Sequence, residues 1–170
     1  MQAQTAEPMN AAAGSNQVLT FTLGNETYGV DILRVQEIRG WSPVTRIPQS
    51  PPHVLGVLNL RGSIVPIVDL RMRFHLDLAE YTPLTVIIVL SVESSLGRRD
   101  FGVVVDGVSD VIDVPSMDVK SVPELGAHVS TEFIAGLAAV SGRMLMLLDI
   151  DQLIGGDVTG VAPIPVAANG

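Results

Sequence analysis

The sequence predicts an all-β fold made of two copies of one five-stranded unit, each closed into a small barrel. Valine, isoleucine and leucine dominate an apolar fraction of 47%, while Lys and Arg total only ten, and this balance favours sheet. A hairpin pattern runs from Gly56 to Leu70 around an Arg61-Gly62 corner, where glycine can take the positive φ angle of a tight turn. The same pattern returns without a gap eighty residues later, from Gly136 to Ile150.

A second match supports the repeat. Tyr28-Gly29-Val30 returns seventy-three residues later as Phe101-Gly102-Val103, so the connection before the hairpin is about seven residues longer in the second copy. Two ungapped blocks indicate two units of roughly 65 residues, with the second half starting near residue 84. Closing five short antiparallel strands into a barrel removes exposed sheet edges.

The first elements follow from local patterns. Residues 1–16 show no periodicity and predict a disordered lead-in. Val18 to Leu23 predict a strand, which pairs across a turn with residues 27–30. Asp31 to Arg39 fits either a helical turn or a strand by its spacing, and we favour a short turn followed by a strand. The proline-rich segment from Trp41 to Pro52 predicts a rigid extended connection, with room for one helical turn after Pro52.

Two short helices complete the predicted chain. A helical turn is expected directly after the Gly56–Leu70 hairpin, over Arg71 to Phe74. A C-terminal helix is expected over Asp149 to Ile154. The ordered domain therefore spans residues 17–154, and residues 155–170 are expected to form a disordered tail.

Composition excludes several classes of protein. A net charge of −8 leaves no clustered cations for binding nucleic acid. Zero cysteines leave no disulfide framework and no thiolate, which is consistent with the cytosol. No apolar run approaches the roughly twenty residues of a membrane helix, and the first residues lack the pattern of an export signal. The composition predicts a soluble, cytoplasmic protein.

The candidates for chemistry are few. His53, His75 and His128 are too widely separated to form a metal site by spacing. The acidic stretch from Asp106 to Asp118 lacks the alternate spacing of an EF-hand loop, which favours a solvated rim. No nucleophile or phosphate-binding motif is present, so we expect no catalytic residue, no metal and no cofactor.

Three polar residues stand among apolar neighbours: Glu37, Asn59 and Arg61. Two interpretations remain open for Arg61. It can form an intramolecular pair with Glu37, worth at most about 1 kcal/mol if exposed. Alternatively, it is a donor at an interface, where arginine is enriched. The counterparts of the three residues in the second copy are Asp110, Ala139 and Ser141.

A set of valines also allows two interpretations. Burial in the core is the default for each of them. However, two barrels packed side by side leave a groove, and a valine-lined groove suits the apolar face of a partner helix. The valines concerned are Val35, Val86, Val104, Val108 and Val111.

Three segments resemble the CheW family of bacterial chemotaxis coupling proteins: VLTFTLGNETYGVDILRVQEIRG, VTRIPQSPPHVLGVLNLRGSIVPIVDLRMRF and FGVVVDGVSDVIDV. The likeness covers about Gln17 to Ile154, and its most specific piece is the hairpin from Gly56 to Leu70. It implies two tandem five-stranded SH3-like β-barrel subdomains around a joint core. The segment Ser91 to Asp100 departs from the family by its greater length. Because only short tails flank the domain, a free-standing coupler is expected rather than part of a kinase or response-regulator fusion.

The resemblance also implies a function. The protein would be a non-enzymatic adaptor that joins the cytoplasmic helical hairpin of chemoreceptors to the regulatory CheW-like domain of the CheA kinase. The groove between the barrels would take the receptor, the barrel ends would contact the kinase, and other CheW copies are possible partners in array rings. The partner-binding residues that match the family are Val35, Glu37, Gly56, Asn59, Arg61, Val86, Val104 and Val108.

Two other classes of function share parts of this pattern. A nucleic-acid-binding pair of small barrels has the same architecture, but a pI near 4.6 and few aromatic residues leave no basic or stacking surface. Retention on a polyanion column at moderate salt would favour it. A small hydrolase would require a nucleophile and a base in one cleft, and loss of a measured turnover on replacing a histidine or aspartate would support that function.

Overall fold

The computed structural model describes residues 15–74, 76–77, 80–94, 97–122 and 133–158. Two α-helices lie within these residues, α1 (Leu70–Arg73) and α2 (Ile150–Val158), with 3-10 turns at Ile32–Arg34 and Ser116–Asp118. The strands are β1 (Ser15–Leu23), β2 (Glu26–Asp31), β3 (Val35–Gly40), β4 (Val54–Leu60), β5 (Ser63–Asp69), β6 (Val86–Ser94), β7 (Gly97–Val105), β8 (Gly107–Pro115), β9 (Ile134–Val140) and β10 (Arg143–Leu148).

The ambiguous stretch after β2 forms a short turn followed by a strand, as predicted. The Asp31 carboxylate accepts a hydrogen bond from the backbone N–H of Leu33 at 2.9 Å, which caps the 3-10 turn at its start. This turn ends at Arg34, and β3 begins at the next residue. The chain after Pro52 forms a hydrogen-bonded turn instead of a helical one.

The ends of the domain differ from the predicted ones. Strand β1 begins at Ser15, two residues before the predicted start. Helix α2 continues to Val158, so the predicted tail begins four residues too early. The helix gains these residues because nothing after Ile154 forces it to stop, as glycine lowers helix stability without forbidding it. The rest of the predicted lead-in and tail lies outside the described residues, as do His75 and His128.

The ten strands form two five-stranded sheets that interleave the two repeat copies. The middle sheet has the order β3-β6-β7-β5-β4, and the terminal sheet has the order β9-β10-β2-β1-β8. The first hairpin of each copy therefore pairs with the last three strands of the other copy. Each sheet therefore has two junctions between the copies. One is parallel, between β10 and β2 or between β5 and β7, and the other is antiparallel, between β1 and β8 or between β3 and β6.

The predicted division near residue 84 consequently does not separate the two barrels. The repeat itself is confirmed, since corresponding strands occupy corresponding places in the two sheets. Alternation of apolar residues determines which face of a strand is buried but not which strand lies beside it. Self-closed and interleaved barrels therefore share one sequence pattern.

The apolar residues divide into three cores. The joint core lies between the two sheets and includes Phe21 and Ile88, both completely buried. Each barrel also has an interior of its own, around Ile67 in the middle barrel and around Leu145 in the terminal barrel. Both faces of the central strands are thus buried, and side chains alternate between the joint core and a barrel interior.

Candidate functional site

The turns at the two hairpin tips have the same backbone. Arg61 and Gly62 have φ angles of 53° and 90°, and Ser141 and Gly142 have φ angles of 52° and 79°. Two consecutive positive φ angles match the turns whose twist suits a two-residue hairpin. The Asn59 side-chain oxygen accepts a hydrogen bond from the Gly62 N–H at 2.9 Å, which stabilises the first tip. The turn is therefore common to both copies, and the guanidinium is an addition in the first.

Arg61 joins this tip to strand β3. Its Nη2 lies 2.8 Å from Oε1 of Glu37, and the side chains of Arg61 and Glu37 are 77% and 23% exposed. Arg39 approaches the other Glu37 oxygen at 3.5 Å. The intramolecular pair predicted from the sequence is thus present. An ion pair this exposed contributes little to stability, and most of the Arg61 side chain remains accessible.

Gly56 has a structural role beneath the proline-rich connection. Thr45 and Val57 exchange two backbone hydrogen bonds, of 2.9 and 2.8 Å, and these fasten the connection to β4. Gly56 is buried at a φ angle of +152°, and a Cβ atom there would overlap the Thr45 carbonyl. Gly56 therefore positions its neighbours and presents no side chain to a partner.

An apolar strip follows the edge strands β3 and β8 beside the joint core. Val35 lies opposite Leu90, and Val108 lies opposite Phe21. Residues directly opposite in an antiparallel pair share a face of the sheet, so both valines face the joint core. Val86 joins them, since all three are half-buried and pack against that core.

Val104 does not line this strip. It is 3% exposed and belongs to the interior of the middle barrel, with Ile87 opposite. Its neighbours Val103 and Val105 face the joint core, and alternation along β7 directs Val104 to the other face. The prediction of Val104 as a groove-lining residue is therefore wrong for this conformation.

Ile38 is a strip residue that the sequence analysis missed. It lies opposite Ile88 and is 46% exposed, while Val111, its repeat counterpart, lies opposite Leu19 and is 48% exposed. The repeat could have identified Ile38, because its counterpart Val111 was already a candidate for lining the groove. We define the apolar strip as Val35, Ile38, Val86, Val108 and Val111.

The acidic stretch is not simply a solvated rim. Asp106 accepts hydrogen bonds from the Arg71 guanidinium and from the Gly24 N–H. The guanidinium hydrogen bond, assisted by the Gly24 N–H, lowers the pKa of the Asp106 carboxyl. The described residues contain no group of three or more His, Cys, Asp or Glu side chains placed to hold a metal ion.

An aromatic pair lies beside the interior of the middle barrel. The rings of Trp41 and Tyr81 stack with centroids 4.2 Å apart, and Trp41 packs against the interior of that barrel. The Tyr81 hydroxyl donates a hydrogen bond to the buried Asp69 carboxylate. Burial and this carboxylate raise the pKa of Tyr81.

Among the described helices, none has the length and apolar character needed to cross a membrane.

Comparison with known proteins gives consistent matches. The family model described as "CheW-like domain" matches residues 17–157. The chain is 49% identical over 138 residues to "Chemotaxis protein CheW" of Klebsiella aerogenes, covering 81% of each chain. It is 39% identical over 140 residues to the protein of that name in Rhizobium meliloti, covering 82% of this chain and 88% of the relative. The crystal structure of the scaffolding protein TtCheW from Thermoanaerobacter tengcongensis superposes with a TM-score of 0.74 at 29% identity, covering 82% of this chain and 92% of that one.

Proposed function

Because the chain belongs to the CheW-like domain family, we propose that it is a non-enzymatic chemotaxis adaptor coupling chemoreceptors to the CheA histidine kinase. The receptor partner is the cytoplasmic helical hairpin, and the kinase partner is its regulatory CheW-like domain. Other copies of the adaptor are further candidates as neighbours in array rings. The protein would act in the cytoplasm, recruited to receptor arrays at the membrane.

The apolar strip is the observation that supports a helical partner. Its residues Ile38 and Val111 are about half exposed although they share a face with the joint core. An apolar groove continuous with a core suits the apolar face of an amphipathic helix. Large exposed apolar side chains on the surface of a soluble protein are otherwise a liability when they form a patch.

Strand β3 links this strip to the charged tip. Val35 and Ile38 lie on its joint-core face, while Glu37, between them, lies opposite Val89 on the other face and holds Arg61. A partner seated on the strip would meet polar and charged groups at one border. Arginine is enriched among the few residues that dominate the affinity of an interface. Glu37, Asn59 and Arg61 are therefore proposed as binding residues, with Val35, Val86 and Val108 as apolar contacts.

The mechanism requires no group transfer by this chain. An adaptor can shift kinase activity only if it binds the two states of the receptor–kinase assembly unequally. Several modest interfaces within one array raise the effective concentration of each partner. The proposed role of the chain is to hold receptor tip and kinase in the geometry that favours one activity state.

The test is reconstitution with receptor-tip bundles and CheA, measuring co-sedimentation and ATP-dependent kinase phosphorylation. We expect the unmodified protein to enter the ternary complex and to raise kinase output. Arg61→Ala should fold normally but lower coupling by tenfold or more, as expected for loss of an interface anchor worth about 1.4 kcal/mol. Circular dichroism and the urea midpoint would verify that the variant is folded.

Arg98→Ala is the matched control. Arg98 is also exposed and paired, with its Nη2 3.0 Å from a Glu93 oxygen, but it lies on the hairpin between β6 and β7. We expect it to couple like the unmodified protein. Equal losses in both variants would assign the effect of Arg61 to general charge. Failure of the folded, unmodified protein to bind either partner would overturn the proposed function.

A further inference from the structure

Each helix is tied by an ion pair to a corner of the other repeat copy. On α1, the Arg71 Nε lies 2.9 Å from Oδ1 of Asp106, in the corner between β7 and β8. On α2, Asp151 Oδ2 lies 2.8 Å from Nη2 of Arg34, in the corner between β2 and β3. In each pair the guanidinium donates two hydrogen bonds to the carboxylate, the geometry of the stronger arginine–carboxylate pairs.

The two pairs occupy equivalent places with opposite polarity. Arg71 on α1 corresponds to Asp151 on α2, eighty residues later. Arg34 corresponds, at the seventy-three-residue offset, to the position directly after Asp106. The cation therefore lies on the helix in one pair and on the corner in the other. Nothing in the repeat requires the cation and the anion to exchange places between the two pairs. If the arginine lay on the helix in both copies, the same two ion pairs would form.

The exchange matters because the chain has a second way to close. In a self-closed barrel, β5 would pair with β2 of its own copy, and β10 would pair with β7. Helix α1 would then bring Arg71 to Arg34, and α2 would bring Asp151 to Asp106. Like charges placed together at a contact disfavour the wrong arrangement.

We propose that the opposite polarity of these two ion pairs selects the interleaved arrangement of strands over the self-closed one. The side chains of Arg34 and Arg71 are only 26% and 18% exposed, so neither pair belongs to the fully exposed kind that contributes little. Backbone donors reinforce the native pairs, since the N–H groups of Gly24 and Glu93 each donate to one of the two carboxylates. Gly24 and Glu93 belong to the first hairpins of the two copies. These hairpins are the elements that pair with different strands in the interleaved and self-closed arrangements.

Charge reversal separates this role from simple stabilisation. The two-residue variant R71D/D106R keeps opposite charges in both native pairs. It also makes the self-closed contacts attractive, Asp at 71 with Arg34 and Asp151 with Arg at 106. The four-residue variant R34D/D151R/R71D/D106R keeps the native pairs opposite in sign as well, but it makes both self-closed contacts repulsive again.

The measurement is refolding of the full chain from urea at low ionic strength. The fraction that regains the native set of amide NMR signals is compared with the fraction in a second set or in oligomers. We expect the two-residue variant to leave a several-fold larger non-native fraction than the unmodified chain, and the four-residue variant to match the unmodified chain. The urea midpoints should follow a different order, lowest for the four-residue variant, because both native hydrogen-bond sets are then altered.

Equal refolding fractions in the two- and four-residue variants would overturn the proposal, as would a larger non-native fraction in the four-residue variant. A measurement without substitutions keeps the test decisive if a variant fails to fold. Refolding the unmodified chain near 1 M salt, where the screening length is roughly 3 Å, should increase its non-native fraction. A fraction independent of salt would contradict the selection by charge.

Discussion

Gly56 is the residue whose replacement the backbone tolerates least among those at the candidate site. Its φ angle of +152° and the position of the Thr45 carbonyl both exclude a side chain. We expect Gly56→Ala to lower the free energy of unfolding by roughly 3 kcal/mol, combining backbone strain with displacement of a hydrogen-bonded neighbour. Urea unfolding followed by Trp41 fluorescence measures this directly.

Gly142→Ala is the control for Gly56→Ala. Gly142 also has a positive φ angle, of +79°, but a Cβ atom there meets nothing within 4 Å. The cost should therefore be only about 1–2 kcal/mol, the penalty for an ordinary residue in left-handed backbone. Similar losses in the two variants would contradict the role assigned to the contact with Thr45.

The sequence shows polar candidate residues more clearly than apolar ones. Glu37, Asn59 and Arg61 could be identified as candidates because each is a polar residue among apolar neighbours and differs from its counterpart in the repeat. Both features can be read from the sequence. Val104 could not be assigned to a face, because its burial depends on which face of β7 meets the joint core. Ile38 was missed because a β-branched residue in a strand is ordinarily buried.

At the scale of elements, the two helix–corner ion pairs predict a dependence of stability on pH. Hydrogen bonds from Arg71 and Arg34 lower the pKa values of Asp106 and Asp151, respectively, below the ordinary 3.8. The unfolded chain therefore binds protons at higher pH than the folded chain does. The contribution of each pair is complete above about pH 4 and is lost as the pH falls through the lowered pKa values.

Urea midpoints measured between pH 6 and pH 2 test this dependence. The unmodified protein should lose stability as the pH falls below about 4. The double variant Asp106→Asn, Asp151→Asn should start from a lower midpoint and show a smaller decrease over the same range. An unchanged decrease in the double variant would assign the acid sensitivity to other carboxylates.

The first hairpin contributes to the joint core through Phe21, which is completely buried and stacks on Tyr28 with ring centroids 5.8 Å apart. Phe21→Ala should cost about 3–5 kcal/mol, because it removes apolar contacts and leaves a cavity. Ile64→Ala, at a side chain 56% exposed, should change stability by less than about 0.5 kcal/mol. Calorimetry of both variants checks the contrast, and a small loss at Phe21 would contradict the joint core.

Most strands, turns and helices could be predicted from the sequence, but the neighbours with which the strands pair could not. The hairpin corners, the short turn before β3 and the start of α2 follow from local turn and capping chemistry. The order of strands in the sheets depends on pairing between residues far apart in the chain, such as Tyr28 with Met146. Because the two copies have the same apolar pattern, no local signal distinguishes the two pairings.

At the scale of the whole molecule, interleaving makes the two repeat copies depend on each other. Fragments 1–83 and 84–170 would each contain a hairpin whose partner strands lie in the other fragment. We expect each fragment alone to lack a cooperative thermal transition, since neither can complete a sheet or the joint core. Mixing them should restore native circular dichroism with an equimolar midpoint. Independent cooperative folding of either fragment would contradict this dependence.

The terminal sheet has a consequence for synthesis on the ribosome. It holds the first strands of the chain, β1 and β2, between the last ones, β8 and β10. The middle sheet can form once residue 105 has emerged, but the first hairpin waits for Leu148. Until β8 emerges at Pro115, the oldest part of the chain has two unsatisfied strand edges, and one edge stays open until Leu148. Such edges invite pairing with other chains. A chaperone or a slow start of translation would be most useful to this protein at its N-terminal hairpin, where Phe21 lies opposite the strip residue Val108.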